Sequence, residues 1–377
     1  MSKRLVAVFT PFENLTDPRV ERTRRHKLFD LVVVALCATL AGSDSWADIE
    51  RFGKERLAWL RTFLPLVNGI PSHDTFGRVF SQLDPAGLVA CIQQWLNDVG
   101  REIGKHIAID GKTLRGSFDK AAGKNPLHLV SAWACEARLT LGQVATDTKS
   151  NEITAIPLLL ELLELKGATV TIDAMGCQKE IAEKIVDRQG DYLLALKDNH
   201  PKLHQAVAAE FTAALEADVA PPGLRRHATV ETSRGRRERR EYFALPAPAS
   251  LPGFADWAKL ATIVMVVRTT LVGGREVGEV SYFLSSLPAK VKELAKRIRQ
   301  HWSIESQLHW VLDVTFTEDA SRIRQRNAPQ TSAMLRRLAV SILSSDTSLK
   351  ESLRGKRYRA SLSTDVLERI LLSFVEK

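Results

Sequence analysis

Ala168-Thr-Val-Thr-Ile-Asp173 decides the fold: it is an apolar run rich in β-branched residues and stopped by an aspartate. Such a run is too short for a helix and predicts a buried strand. Glu152 to Leu165 before it has helical spacing, as does Gln178 to Arg188 after it, and Asp191-Tyr-Leu-Leu-Ala-Leu196 is strand-like again. Upstream, His106-Ile-Ala-Ile-Asp110 repeats the first pattern. Leu127 to Glu136 and Leu139 to Thr146 read as two further strands joined by a turn at Ala137-Arg138. Three strands, helix, strand, helix, strand make an α/β chain with a mixed sheet flanked by helices. Asp110 and Asp173 close the first and fourth strands, so their carboxylates lie side by side if those strands are neighbours.

Outside this core, residues 1–100 are expected to be helical. Leu28 to Leu40 is almost continuously apolar, Ser43 or Asp44 is placed to cap the next helix, and Ser72, behind Pro71, starts a helix carrying Phe76, Val79, Phe80 and Leu83. Between about Pro201 and Ser285 the texture changes. Proline and arginine dominate from Pro221 to Arg240, and the runs Arg239 to Leu245, Ala258 to Thr269 and Glu276 to Leu284 predict a β-rich insertion with a hairpin turn at Gly273-Gly274. Lys290 to Leu312 is strongly helical, and two helices, Pro329 to Ser344 and Ser363 to Val375, finish the chain. The expected divisions are an N-terminal helical domain (1–100), the first part of the core (101–200), the insertion (201–285), the second part of the core (286–345) and a helical tail (346–377).

A third acid, Glu305, lies within Arg297-Ile-Arg-Gln-His-Trp-Ser-Ile-Glu-Ser-Gln-Leu-His-Trp-Val-Leu-Asp313. A spacing of four aligns His301, Glu305, His309 and Asp313 on one side of a helix and leaves Trp302, Ile304, Leu308 and Val311 for packing. Two carboxylates at strand ends and a third from a helix can hold two divalent cations of the kind that activate phosphodiester bonds. A zinc cluster of His301, Glu305 and His309 is the alternative, but the oxygen donors of Asp110 and Asp173 point to magnesium or manganese. A lone strand-end aspartate is commonly a turn or cap residue, so the weight falls on the acids together. Asp110 is also followed by Gly111-Lys-Thr-Leu-Arg-Gly116, whose glycines permit close approach to a phosphate and whose Lys112 and Arg115 can offset charge. Asp173 is followed by the small, turn-forming Ala174-Met-Gly176.

A formal charge of +9 over 377 residues favours a polyanionic partner. Cys37, Cys91, Cys135 and Cys177 are far apart and fit neither a zinc spacing nor a disulfide framework, which suits a reducing cytoplasm. Leu31 to Ala41 is too short to span a bilayer, and the opening residues lack the apolar core of a signal peptide, so no membrane partner is expected.

Asp17-Pro-Arg19 with His26-Lys-Leu28, Gly69-Ile-Pro-Ser-His-Asp-Thr-Phe76, Ile109-Asp-Gly-Lys112, Ile172-Asp-Ala-Met175, Leu196-Lys-Asp-Asn199 and the His301 to Asp313 block together give the chain a specific likeness. Over nearly its whole length it resembles the H-repeat-associated (ISAs-type) insertion-sequence transposases of the DDE, RNase H-like superfamily. The resemblance implies an RNase H-like mixed sheet, Asp110, Asp173 and Glu305 as catalytic triad and metal ligands, Mg²⁺ (Mn²⁺ as alternative), double-stranded DNA as partner at both mobile-DNA ends and target, and a homodimer on DNA in the bacterial cytoplasm, associated with the nucleoid. The N-terminal domain is then the expected DNA-binding domain. Many relatives with a β insertion carry Tyr, Arg and Lys around the glutamate, where this chain has Ile298, His301 and Leu312. Phosphate contacts are therefore expected from Arg299, His301 and His309, together with Lys112, Arg115, Arg322 and Arg324, and from two basic clusters, one with Arg24 and Arg25, the other with Arg236 and Arg237. The alternatives are an RNase H-like nuclease without strand transfer and a domesticated DNA-binding relative.

Overall fold

The chain was analysed as a computed structural model, which describes residues 2–98, 104–118, 123–146, 152–233, 236–272 and 275–375. Six helices come first: α1 Ser2–Phe9, α2 Leu28–Leu40, α3 Trp46–Glu55, α4 Leu57–Leu60, α5 His73–Gln82 and α6 Pro85–Asp98. In α2 every residue but Phe29 is buried, which explains its nearly continuous apolar sequence. Ser72 caps α5, accepting from the Thr75 N–H at 3.4 Å. The cap of α3 is Ser45, not Ser43 or Asp44; Ser45 Oγ accepts from the Asp48 N–H at 3.2 Å. Asp44 instead accepts from Arg357 Nη2 at 2.6 Å and from Thr317 Oγ1 at 3.2 Å, a demand for a carboxylate that local sequence does not reveal.

Strands β1 His106–Thr113, β2 His128–Ala134 and β3 Leu139–Thr146 follow, then helix α7 Glu152–Glu161, β4 Thr169–Ile172, α8 Lys179–Asp187 and β5 Asp191–Leu196. The β2–β3 turn passes through Arg138 at φ 58°. The next segment is β-rich, as its sequence predicts, and also carries a helix that the sequence reading did not include. It opens with a sixteen-residue helix, α9 Pro201–Glu216, started by a proline whose missing N–H costs nothing at that position. Four long strands then run β6 Arg225–Ser233, β7 Arg236–Pro246, β8 Thr262–Val272 and β9 Arg275–Ser285. β6 was not expected; its polar sequence is carried by antiparallel pairing along its whole length with β7. The turn expected at Gly273-Gly274 lies outside the described residues, between the paired Val272 and Arg275. Helices α10 Val291–His301, α11 Trp310–Thr315, α12 Ala328–Ser345, α13 Leu353–Leu362 and α14 Thr364–Val375 complete the chain, α13 being additional to expectation.

Hydrogen-bonded strands follow the order β3-β2-β1-β4-β5-β9-β8-β7-β6, a mixed sheet. Two compact units divide the chain, and neither is contiguous in sequence: residues 1–104, 111–151 and 304–377 form one, residues 105–110 and 152–303 the other. In the first, α12 is the axis, buried from Thr331 to Leu343 and packed on α2, α5, α6 and β3. In the second, β1 pairs parallel with β4 and β4 with β5, while β5 pairs antiparallel with β9, so the inserted strands extend the central sheet. Leu294 and Ile298 of α10 pack on Leu193, Val264 and Val266 to form that unit's core. All four cysteines are buried thiols without disulfides.

Candidate active site

Asp110 and Asp173 are brought together by strand register. Ile109 is opposite Ile172 in the parallel β1–β4 ladder, and each aspartate is the next residue. β1 runs on to Thr113, so Asp110 directly follows the stretch paired with β4 and does not end the strand itself, correcting the sequence reading. Both aspartates are half-buried. Asp173 accepts from the Met175 N–H at 3.0 Å and thereby caps a 3₁₀ turn, Ala174–Gly176. A Cβ on Gly176 would collide with the side chains of Ile172 and Ile156, so that glycine lets the turn lie flat against the core. The loop after β5 is fastened to the same turn: Asn199 Nδ2 donates to Ala174 O at 2.8 Å, and His200 Nε2 donates to Cys177 O at 2.7 Å. Asn199 belongs to the Leu196 to Asn199 motif, whereas no local sequence signal points to His200.

On the β1 and β4 strands behind the aspartates runs a chain of polar side chains. His106 Nδ1 is 3.3 Å from Gln300 Oε1, His106 Nε2 is 2.9 Å from Thr171 Oγ1, and Thr171 Oγ1 is 2.9 Å from His301 Nδ1. Burial pushes the His106 pKa down to about 3 and the His301 pKa to about 4, so both rings are neutral at physiological pH. A cavity of about 100 Å³ opens beside Asp173, lined also by Lys197, Tyr282, His301 and the half-exposed Trp302. Trp302 had been assigned to packing, whereas Ile304, Leu308 and Val311 are buried as expected.

Glu305 belongs to the other unit. It is exposed and stands in a π-helical turn, Ile304–His309. That wider turn breaks the spacing of four proposed for His301, Glu305, His309 and Asp313, since hydrogen bonds here reach one residue further. Asp313 takes Lys112 Nζ at 2.8 Å, and Lys112 also reaches Asp319 at 3.2 Å, with Arg115 Nε on the second Asp319 oxygen at 3.3 Å. Lys112 is buried, so its charge serves these aspartates. Burial lifts the Asp313 pKa above the usual carboxylate range against the pull of Lys112. Burial, helped by Arg337, Lys112 and His128, drives the His309 pKa down to about 3. A Cβ on Gly116 would overlap the backbone carbonyl oxygens of Ser321 and Asp319, and Arg324 Nε donates to Gly116 O at 3.0 Å. Close chain packing therefore accounts for this glycine. Gly116→Ala should lower the melting temperature by several degrees, on the order of 1–3 kcal/mol of overpacking, measured by thermal denaturation; an unchanged melting temperature would contradict this packing.

The donor set of Asp110 and Asp173 suits a hard divalent cation: two carboxylates at adjacent positions of neighbouring strands, all oxygen. Among the described residues no group of three or more His, Cys, Asp and Glu side chains gathers for a metal. The expected basic contacts are variously engaged. Arg299 binds Glu231 through Nε at 3.2 Å and Nη2 at 3.0 Å. The insertion arginines pair with glutamates: along β7 Arg240 meets Glu238 and Arg239 meets Glu241, and across strands Arg240 meets Glu231 of β6 and Arg268 of β8 meets Glu238. Arg237 is exposed, the Arg236 side chain and Arg234 lie outside the described parts, and Arg22, Arg25 and Arg322 are exposed. Arg24 donates to Arg19 O at 2.9 Å, in a loop organised by Asp17, which binds Arg19 Nη2 at 2.7 Å. Arg324 lies over the Phe118 ring at 4.6 Å.

The buried neutral histidines carry a pH signature. Folded His106 and His309 have pKa values near 3 against an ordinary 6.5. The unfolded chain thus binds more protons between these limits, so stability is full above about pH 6.5 and is lost as pH falls toward the folded values. Urea midpoints should drop from pH 7 to pH 5, by at most about 1.4 kcal/mol per pH unit for each histidine. A flat profile would mean that the folded rings accept protons freely.

Residues 102–342 match the Transposase DDE domain family, and residues 9–96 match the DDE_Tnp_1-associated family. YncI of Escherichia coli O157:H7, which carries a transposase name, is 41% identical over 368 residues, 96% of this chain and 93% of that protein. YhhI of Escherichia coli K12, named as an H repeat-associated transposase, is 39% identical over 352 residues, 92% of each. Among solved structures the chain is similar to the piggyBac transposase in a synaptic complex with hairpin DNA, at 10% identity and a TM-score of 0.39 over 98% of this chain and 77% of that one, a likeness too slight to carry an argument. Among the described residues no helix is long and apolar enough to cross a membrane. The DDE domain is RNase H-like and works with divalent metal ions, and the chain belongs to this family as an insertion-sequence DNA transposase of the H repeat-associated group.

Proposed function

We propose that the protein binds the ends of its own insertion sequence, cuts the DNA there and joins the freed ends to a target, with Asp110, Asp173 and Glu305 as catalytic residues. The observation that carries this reading is the β1–β4 register, which sets Asp110 and Asp173 immediately past paired isoleucines on adjacent parallel strands. Asp110, Asp173 and Glu305 would hold Mg²⁺, with Mn²⁺ as substitute, and such ions supply activation of an attacking hydroxyl and stabilisation of a leaving oxygen. The turn capped by Asp173 and fastened by Asn199 fixes where that carboxylate points. In cleavage the attacking oxygen is that of water; in joining it is the freed 3′-hydroxyl. In each, one P–O bond forms as another breaks in line, with no covalent protein intermediate. Exposed Arg22, Arg24, Arg25, Arg115, Arg237 and Arg322 are available to meet phosphates. Holding two ends calls for a homodimer on DNA, acting in the bacterial cytoplasm at the nucleoid.

The test is an assay with duplexes carrying the terminal repeats and a supercoiled target. Cleaved and joined products should both appear with Mg²⁺ or Mn²⁺ and vanish with a chelator. Cleavage without joining would favour a nuclease; end binding without either product would favour a domesticated DNA-binding protein.

A further inference from the structure

The orientation of the Gln300 amide sets the polarity of the Gln300–His106–Thr171–His301 chain. With Gln300 Oε1 turned to His106 Nδ1 at 3.3 Å, that nitrogen carries the proton and His106 Nε2, in a neutral ring, accepts. Thr171 Oγ1 has one proton and therefore donates it to His106 Nε2. Its lone pair is left to accept from His301 Nδ1, which must then be the protonated nitrogen of that ring. His301 Nε2 consequently bears a lone pair, on the side of the ring away from Thr171. His301, Thr171 and Asp173 all line the same cavity, whose volume of about 100 Å³ has room for about three water molecules.

We propose that His301 Nε2 is a hydrogen-bond acceptor for the attacking hydroxyl, water in cleavage and the DNA 3′-hydroxyl in joining, and that Gln300, His106 and Thr171 are positioning residues that hold His301 in the Nδ1–H tautomer. This rests on the reading of Asp173 as a catalytic carboxylate. The ring retains no transferred proton: the hydroxyl donates one hydrogen bond, which restricts the direction of its remaining lone pairs toward phosphorus, and as the new P–O bond forms its proton passes to solvent while the displaced 3′-oxygen takes one up from solvent. The neutrality of both histidines agrees with this, since a protonated His301 would have no lone pair to offer. The sequence position that holds a cationic residue in many relatives with a β insertion thus acts here as an uncharged acceptor.

The tautomer is read directly from the ¹⁵N shifts of the histidine rings in the full-length protein without DNA or metal, with the His301 signal assigned by its loss in His301→Asn. His301 should show a protonated Nδ1 and an unprotonated Nε2. The opposite tautomer overturns the proposal. In the Mg²⁺ cleavage assay, His301→Asn keeps a donor toward Thr171 but lacks the acceptor, and should lower kcat about 10- to 100-fold with little change in KM for DNA. His301→Gln, whose carbonyl reaches the Nε2 position, should recover part of the loss. Wild-type kcat in His301→Asn overturns the proposal. Should His301→Asn fail to fold, Thr171→Val and Thr171→Ser decide: only valine should mix the His301 tautomers and lower kcat, and equal behaviour of the two refutes the positioning chain. Failure of the tautomer test leaves the acidic residues untouched, whereas failure of the triad reading shows as activity surviving in Asp110→Asn.

Discussion

Asp110→Asn is expected to lower Mg²⁺-dependent cleavage of the terminal repeats about 10³-fold or more while leaving the fold intact. The change is nearly isosteric, and the strand pairing around it is made by backbone groups from His106 to Ile109. The melting temperature should therefore stay close to that of the wild type. Asp173→Asn should behave alike, since an asparagine oxygen can still accept from the Met175 N–H. Glu305→Gln completes the set, a nearly isosteric change at an exposed side chain. The readout is single-turnover cleavage alongside thermal denaturation and end-DNA binding. Cleavage at near-normal rate in any one of the three removes that residue from the site.

The second large effect is on stability. Arg337 Nη1 meets Glu318 Oε1 at 2.9 Å with the two side chains 1% and 0% exposed. Arg337 also donates to Ser131 Oγ at 3.3 Å and to Ala333 O at 3.2 Å, and so ties α12 to β2. Arg337→Met strands the Glu318 carboxylate in the interior and should cost about 3–5 kcal/mol. Arg336, whose Nη2 donates to Ser321 Oγ at 3.0 Å, is the neighbour best placed to soften that cost. In the double variant with Glu318→Met, apolar groups replace both charges, and most of the stability should return. Urea denaturation measures both; a single-variant cost below about 1 kcal/mol would show that water reaches the pair.

What the sequence made legible was whatever a local pattern carries. β4 and β5 are short β-branched or apolar runs with obvious ends, and Ser72 announces α5 because a cap acts within three residues. The aspartate pair could be foreseen only conditionally, because β1 and β4 are neighbours through a parallel pairing that no local signal specifies. β6 was hidden because its glutamates and arginines are partnered across strands, Arg226 with Glu241 and Glu231 with Arg240, which a linear reading takes for a solvated basic stretch. α9 carried a signal that went unused, a proline at its first position ahead of an alanine-rich run. The π turn at Glu305 had none: an extra residue in one helical turn is a tertiary outcome, and it undid the expected alignment of His309 and Asp313 with the glutamate. Lys112 was read as a phosphate contact because its partners Asp313 and Asp319 come two hundred residues later in the chain.

The pairing of β5 with β9 has a consequence during synthesis. Leu193 to Leu196 finds its partner strand only when Tyr282 to Ser285 has left the ribosome, with the whole insertion made in between. For a time on the order of ten seconds the nascent chain therefore offers an apolar, hydrogen-bond-hungry strand edge to any neighbour. Shortening the insertion by removing β9 would make that exposure permanent, whereas trimming at β6, the far edge, would not. Lineages of this transposase should thus gain and lose length at the β6 edge of the insertion, and truncated copies that stop before residue 282 should be found in aggregates or in the grip of chaperones.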